Sequence, residues 1–285
     1  MPRLKKIDEL LANFAGRMPV RAGSLIISLF GDSISQHGNS VWLGSLIRAL
    51  EPFGLNARQI RTAVFRLVQE DWLGARQIGR RSFYSLTESG TRQYERAARR
   101  IYAGGRLEWD GVWTVVVPAF VRKADREILR RELLWQGYGQ LTPGIFAHPA
   151  AGRRSLDEAL HEQGVTDKVI VLHANSADLV SAQALARLSR DRWGLDVIAG
   201  RYLRFLETFE PILKSVNAAR GLDPQQCFQL RILLIHEYRR IILHDADLPV
   251  ELLPAKWPGH RASELTATLY RGIHRPAMNY LTQVM

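Results

Sequence analysis

The chain has 285 residues and a single cysteine, Cys227, which excludes a disulfide framework and any zinc cluster built on thiolates. No apolar run approaches the ~18 residues that a membrane-spanning helix needs. Candidates such as Thr114–Val117 and Ile232–Ile235 have the length of core segments, so no membrane partner is expected. The opening MPRLKKIDELL carries Asp8 and Glu9 and lacks a long apolar stretch, so a signal peptide is not expected and a soluble, cytoplasmic protein is. No internal repeat, low-complexity segment, nucleophile elbow, Walker motif or Rossmann fingerprint is found, which removes the commonest enzymatic signatures. Hydrophobic residues make up 46% and charged residues 24%, a globular balance that excludes wholesale disorder.

What is present is positive charge, unevenly placed. Residues 1–105 hold 16 Lys and Arg against 8 Asp and Glu, whereas the remainder hold 23 against 20. The excess therefore sits in roughly the first third, where it suits a polyanionic partner or simply a well-solvated surface. Choosing between these needs a motif.

Residues 22–36 read as a helix, with Leu25, Ile26, Leu29, Phe30 and Ile34 on one face. Val41–Leu50 reads as a second helix, closed by Pro52 and Gly54. Asn56 caps a third, which runs to about Asp71. Leu73–Thr87 alternates around Gly79-Arg80-Arg81 and reads as a β-hairpin, and Glu88–Ala103 as an Arg-rich helix. Three helices followed by a hairpin predict a winged helix-turn-helix over residues 1–104, including its linker helix.

From Gly105 to residue 178 the periodicity changes. Val112–Val117 and Lys168–His173 read as strands, and Asp125–Gln136 and Ser155–Gln163 as helices. Ser155 and Glu158 suggest a capping box. Gly139–Ala147 reads as extended around Pro143-Gly144, and with an extra strand in the Pro143–Pro149 region this predicts a ferredoxin-like βαββαβ domain. Residues 179–285 show 3.6-residue apolar spacing throughout and predict a helical C-terminal domain. The fold class expected is therefore α+β and multidomain.

The third helix carries the chemistry. On a helical wheel Ile60, Ala63, Val64, Leu67 and Val68 fall on one arc, and Arg58, Gln59, Arg61, Thr62, Arg66 and Gln69 on the other. A DNA recognition helix needs this division, because one face is buried while the other meets bases and phosphates. Arg pairs bidentately with guanine and Gln with adenine, and a helix N-terminus opened by Asn56 suits a phosphate. Phe65 falls on the polar arc, where it either touches a thymine methyl or packs under the wing. At the hairpin tip Gly79 permits the turn, and Arg80 and Arg81, with Arg76 as a further contact, can reach phosphates or a narrow minor groove.

These blocks resemble a known family. SLIISLFGDSIS (Ser24–Ser35), VWLGSLIRALEPFGL (Val41–Leu55), RTAVFRLVQEDWL (Arg61–Leu73) and GRRSFYSLTESG (Gly79–Gly90) are similar to the PaaX repressors of bacterial phenylacetate catabolism. So are RRIYAG (Arg99–Gly104), WQGYGQLTPGIFAHP (Trp135–Pro149), HEYRRIILHDADLP (His236–Pro249) and LLPAKWPG (Leu252–Gly259), which spread over nearly the whole chain. The resemblance implies a GntR-like winged-helix domain, a Cas2-like middle domain and a helical C-terminal domain. It implies a homodimer that holds operator DNA until phenylacetyl-CoA or a related aryl-CoA releases it, with no cofactor and no enzymatic activity. A nuclease like Cas2 would want a carboxylate at the end of its first strand; here that strand ends Val117-Pro118-Ala119-Phe120, so the domain is expected to be a dimerisation or ligand scaffold.

For such an effector, Arg239, Arg240 and Lys256, with His260 and Arg261 nearby, offer cations for a CoA phosphate, and Trp257 a cover for adenine or acyl group. Arg239 and Arg240 have a structural alternative, an ion-pair set with Glu237. Trp135 and Phe146 are candidates for an aryl pocket together with Trp113 and Tyr138, their alternative being the hydrophobic core. His236 and His244 lie ~12 Å apart along a helix, too far to share one metal ion, and no metal site is expected. The competing class is an enzyme acting on a CoA thioester with an accessory DNA-binding domain; the missing catalytic motifs count against it.

Overall fold

The computed structural model describes residues 3–16, 22–35, 38–102, 109–149, 153–175 and 179–284. The domain boundaries expected at residues 104–105 and at residue 178 lie outside them. In chain order the elements are α1 (Lys5–Ala15), α2 (Ala22–Leu29), β1 (Val41–Trp42), α3 (Leu43–Leu50), α4 (Ala57–Gln69), β2 (Leu73–Ile78), β3 (Arg81–Leu86) and α5 (Glu88–Tyr102). Then come β4 (Val112–Val117), α6 (Lys123–Trp135), β5 (Gly139–Thr142), β6 (Ile145–His148), α7 (Arg153–Glu162), β7 (Ile170–Asn175), α8 (Leu179–Arg192), α9 (Leu195–Ala218), α10 (Pro224–Ile242) and α11 (Pro258–Val284). They form two compact units. One takes in Met1–Ala103, Arg204–Arg239 and His260–Met285; the other takes in Gly104–Leu203 and Arg240–Gly259.

In the first unit, α4 buries Ile60, Ala63, Val64 and Leu67, one apolar stripe at helical spacing, and packs on α2 and α3. The β2–β3 hairpin turns through Gly79 and Arg80, with Gly79 at φ 59°, the glycine-first pattern of a primed hairpin turn. Val41 and Trp42 are not the start of a helix, as their apolar spacing suggested. They are extended and pair with Tyr84 and Phe83, giving a three-stranded antiparallel sheet in the order β1-β3-β2. A β-branched and an aromatic residue suit a half-buried sheet edge better than a helix N-terminus. Residues 22–36 are also not one uniform α-helix. After Leu29 the backbone widens into a π turn, Phe30–Ile34, where the Ser35 N–H donates to the Phe30 carbonyl.

That π turn is clamped from the C-terminal helices. Arg231 of α10 is fully buried and donates from Nε to Asp32 Oδ2 (2.6 Å) and from Nη2 to the Asp32 carbonyl (2.8 Å). Its Nη1 lies 2.9 Å from His274 Nδ1, which must accept because a guanidinium has no lone pair to offer. Tyr270 stacks under the Arg231 guanidinium (4.6 Å) and donates its hydroxyl to Asp32 Oδ1 (3.0 Å). Burial, with the Asp32 charge alongside, holds the Tyr270 phenol above its ordinary pKa, so it stays a donor. On its other side the turn meets α5. A Cβ on Gly31 would lie 1.8 Å from the Tyr94 ring, so only glycine lets the two elements approach. The Cys227 thiol is buried in α10 and pushed up to about 12, chiefly by desolvation, which keeps it neutral.

The second unit has the βαββαβ order, with the sheet arranged β5-β6-β4-β7 and every neighbouring pair antiparallel. The extra strand is there as the β5–β6 hairpin, which turns at Pro143-Gly144 with Gly144 at φ 84°. Val116, Leu129, Leu133, Tyr138, Phe146, Leu156 and Leu160 form its core, joining the sheet to α6 and α7. Ser155 is not an N-cap: α7 begins at Arg153, which puts Ser155 in its first turn. The final strand also starts later than read, because Thr166–Lys168 is a 3-10 turn. On the opposite sheet face Trp193 lies over Gly139 and donates its indole N–H to the Gly137 carbonyl (2.7 Å). The segment after α10 is tied down by Tyr202, which donates to Asp245 (2.7 Å), and by His148, whose Nε2 donates to the Ala246 carbonyl (2.8 Å).

Candidate nucleic-acid interface

α4 presents Arg58, Arg61, Thr62, Phe65, Arg66 and Gln69 to solvent on the side opposite its buried stripe. The division read from the wheel is therefore the division of the folded helix. Phe65 is 64% exposed, so it does not pack under the hairpin. Asn56 and Gln59 are engaged with each other. Asn56 Oδ1 accepts from the Gln59 N–H and Gln59 Oε1 accepts from the Asn56 N–H, both at 2.9 Å. This capping box satisfies the Asn56 and Gln59 N–H groups and uses Gln59 Oε1 locally. The reciprocal half of the cap has its own sequence signal, the N-x-x-Q spacing of residues 56–59.

The hairpin has two distinct faces. Leu73, Leu86 and Val41 point to the core. The register sets Trp42 opposite Phe83, Phe83 opposite Arg76, and Ile78 opposite Arg81, so these five share the outward face. Arg80 is exposed at the turn, beside Ile78 at 53% exposure. Arg81 is exposed as well, but its guanidinium lies 4.7 Å from the Trp42 ring centroid. The positive groups offered by α4 and the hairpin are thus Arg58, Arg61, Arg66, Arg76, Arg80 and Arg81. No acidic side chain interrupts the exposed face before Glu70 and Asp71 at the far end of α4.

The residues expected to hold a ligand are dispersed in character. Phe146 is 3% exposed and belongs to the core of the second unit, and Trp135, at the end of α6, is 40% exposed. Arg239 is half-buried and donates from Nη1 to the Ser24 carbonyl and Ser28 Oγ, both at 3.3 Å, so it ties α10 to α2. Trp257 is buried edge-on against Tyr202 at 5.9 Å. Arg240 and Lys256 are exposed, Lys256 with φ 65°. His236 is buried, 3.2 Å from Ser28 Oγ and edge-on to Phe14, and among the described residues no three His, Cys, Asp or Glu side chains gather as metal ligands. Among the same residues no helix is long and apolar enough to cross a membrane.

The parts define a multidomain α+β protein: a basic helix-and-hairpin face, a ferredoxin-like domain and a helical C-terminal part. Models of protein families match the chain at residues 21–90 (PaaX-like protein), 106–186 (PaaX protein central Cas2-like domain) and 193–283 (PaaX-like protein C-terminal domain). The chain is 38% identical over 281 residues to the transcriptional repressor PaaX of Escherichia coli (strain K12), covering 98% of this chain and 89% of that protein. It belongs to the PaaX family. A solved structure of the uncharacterized protein Rv0674 from Mycobacterium tuberculosis shares the fold. Its TM-score is 0.54 at 22% identity, over 90% of this chain and 98% of that one.

Proposed function

We propose that this chain is a homodimeric transcriptional repressor of phenylacetate catabolism, which reads operator DNA with a winged helix-turn-helix and lets go when phenylacetyl-CoA binds. The observation that carries the reading is the exposed face of α4, where Arg58, Arg61, Thr62 and Arg66 stand beside a hairpin tipped by Arg80. In this reading α4 enters the major groove, Arg58 and Arg61 meet base edges, and the tip of the hairpin meets a phosphate or the minor groove. Two copies double the contact and match paired half-sites about one helical turn apart. The Escherichia coli relative supports the repressor role by its name. The proposal is of a regulator and not an enzyme, so phenylacetyl-CoA should come back unchanged from a turnover assay.

The hairpin tip has its own signature. Arg80→Ala should weaken specific and non-specific DNA alike and reduce the slope of log affinity against log salt by about 0.9, the share of one phosphate contact. Fluorescence anisotropy across a salt series measures both. An unchanged slope would remove Arg80 from the DNA backbone.

Release is a linked equilibrium in which the effector acts only through its different affinities for the DNA-competent and released arrangements. A CoA thioester brings phosphates that free phenylacetate lacks, and Arg240 and Lys256 are the exposed cations proposed to receive them, with Trp257 and Trp135 of the same unit as supports. In a purified gel-shift assay phenylacetyl-CoA should release the DNA and phenylacetate should not. Arg240→Ala or Lys256→Ala should bind DNA normally and need several-fold more thioester. Equal potency of the free acid would contradict the phosphate argument.

A further inference from the structure

The best-supported feature that the reading above does not use is a tryptophan at the root of the hairpin. Trp42 sits in a two-residue strand at the edge of the sheet. It is directly opposite Phe83, and Arg81 lies two residues before Phe83, so Trp42 and Arg81 are diagonal cross-strand neighbours on the outward face. Aromatic and long side chains reach across that diagonal. The Arg81 guanidinium is 4.7 Å from the ring centroid, and that of Arg48, from α3, is 5.7 Å from it, both within cation–π range. The ring has its place because residue 44 is glycine. A Cβ there would stand 2.5 Å from the ring, so a side chain at position 44 would push Trp42 off α3. One ring thus touches α3 and the first residue of β3, which directly follows the turn that carries Arg80.

We propose that Trp42 is a positioning residue for DNA reading: its ring braces the hairpin against α3, holds the Arg81 guanidinium in place and thereby aims the tip. The inference rests on the winged-helix reading of this face. Two-residue hairpin turns leave the tip supported only by its own strands, and the sheet here has only the short β1 beside β3. A cation on a ring face at that point stiffens the root without hiding Arg80. It also spares the ordering of one Arg side chain when DNA arrives.

The test uses the full chain with Trp42→Leu, Trp42→Phe and Arg81→Ala, alone and combined. Hydrogen exchange in the absence of DNA is read first. Trp42→Leu should lose protection at the β2–β3 amides while the α4 and α10 amides keep theirs, and Trp42→Phe should restore it. Unchanged hairpin protection, or equal loss everywhere, would overturn the brace. Operator binding is read second. Trp42→Leu should weaken affinity about three- to tenfold with a shallower salt slope. It should add little to Arg81→Ala in the double variant and be largely rescued by Phe. Full additivity, or no rescue by Phe, would overturn the pairing with Arg81. If the wild-type chain binds no DNA, the DNA-reading proposal fails by itself, while the exchange measurement still decides whether Trp42 braces the hairpin.

Discussion

Arg231→Met should lower the unfolding free energy by about 3–5 kcal/mol, a large part of the stability of an ordinary domain. The side chain is 0% exposed and Asp32 is 1% exposed, so removing the cation strands a buried carboxylate. The Asp32 carboxylate would keep its bonds from the Tyr270 and Ser33 hydroxyls, but neither neutralises it. Tyr270 would also lose the guanidinium stacked on its ring. The cost comes from breaking the pair and not from lacking it, because well-packed apolar residues often replace a buried ion pair without loss. The double variant Asp32→Leu/Arg231→Met should therefore recover most of the stability lost by the single one. Urea denaturation of the wild type and the two variants measures this. A loss below about 1 kcal/mol for Arg231→Met would show that water or a neighbouring group compensates Asp32.

A fragment of residues 1–102 should not fold cooperatively, although it contains every element of the proposed DNA reader. Much of what holds those elements comes from beyond residue 204. Gln226 accepts from the Leu4 N–H (2.7 Å) and donates to Asp8 Oδ1 (2.8 Å), fixing the start of α1. His236 packs on Phe14 and meets Ser28, and Arg239 reaches the Ser24 carbonyl. Arg231 clamps the π turn, and that turn in turn supports α5 through Gly31 and Tyr94. Cutting these away exposes the apolar faces of α1 and α2 and leaves Asp32 charged without its partner. Circular dichroism should show a broad, shallow melt for the fragment, where the full chain melts sharply. A sharp melt with dispersed amide resonances would mean that the reader is a self-sufficient domain.

The features that could be read from the sequence are those set by near neighbours. The two arcs of α4 follow from its 3.6-residue period, and the hairpin follows from alternation around Gly79. The βαββαβ order was readable because Val112–Val117 is rich in β-branched residues, β7 opens on the apolar Ile170–Leu172, and the β5–β6 hairpin is marked by its turn at Pro143-Gly144. What escaped depends on distant partners. Val41 and Trp42 are a strand only because β3 offers them an edge some forty residues later, and on their own their spacing suits a helix. The π turn at Phe30–Ile34 exists where Asp32 is drawn to Arg231, which no local pattern announces. Trp135 and Phe146 are both aromatic in one motif, yet one ends a helix at the surface and the other points into the core. Gln59 looked like a base-reading side chain because its register on the wheel is right, but its oxygen is held by the Asn56 N–H. The whole chain also divides in space differently from its order in sequence, since the C-terminal helices complete the unit that begins with α1.

The most direct test of the account compares the intact chain with the triple variant Arg58→Ala/Arg61→Ala/Arg66→Ala on the DNA upstream of its own gene and of the phenylacetate genes. These three side chains are exposed on α4, opposite its buried stripe, so the variant should melt within a few degrees of the wild type. At about 1–3 kcal/mol for each of the base-reading arginines Arg58 and Arg61, specific affinity should fall at least about thirtyfold, leaving only weak binding of any sequence. Retention of wild-type specific affinity by a folded triple variant would contradict the claim that α4 reads the operator.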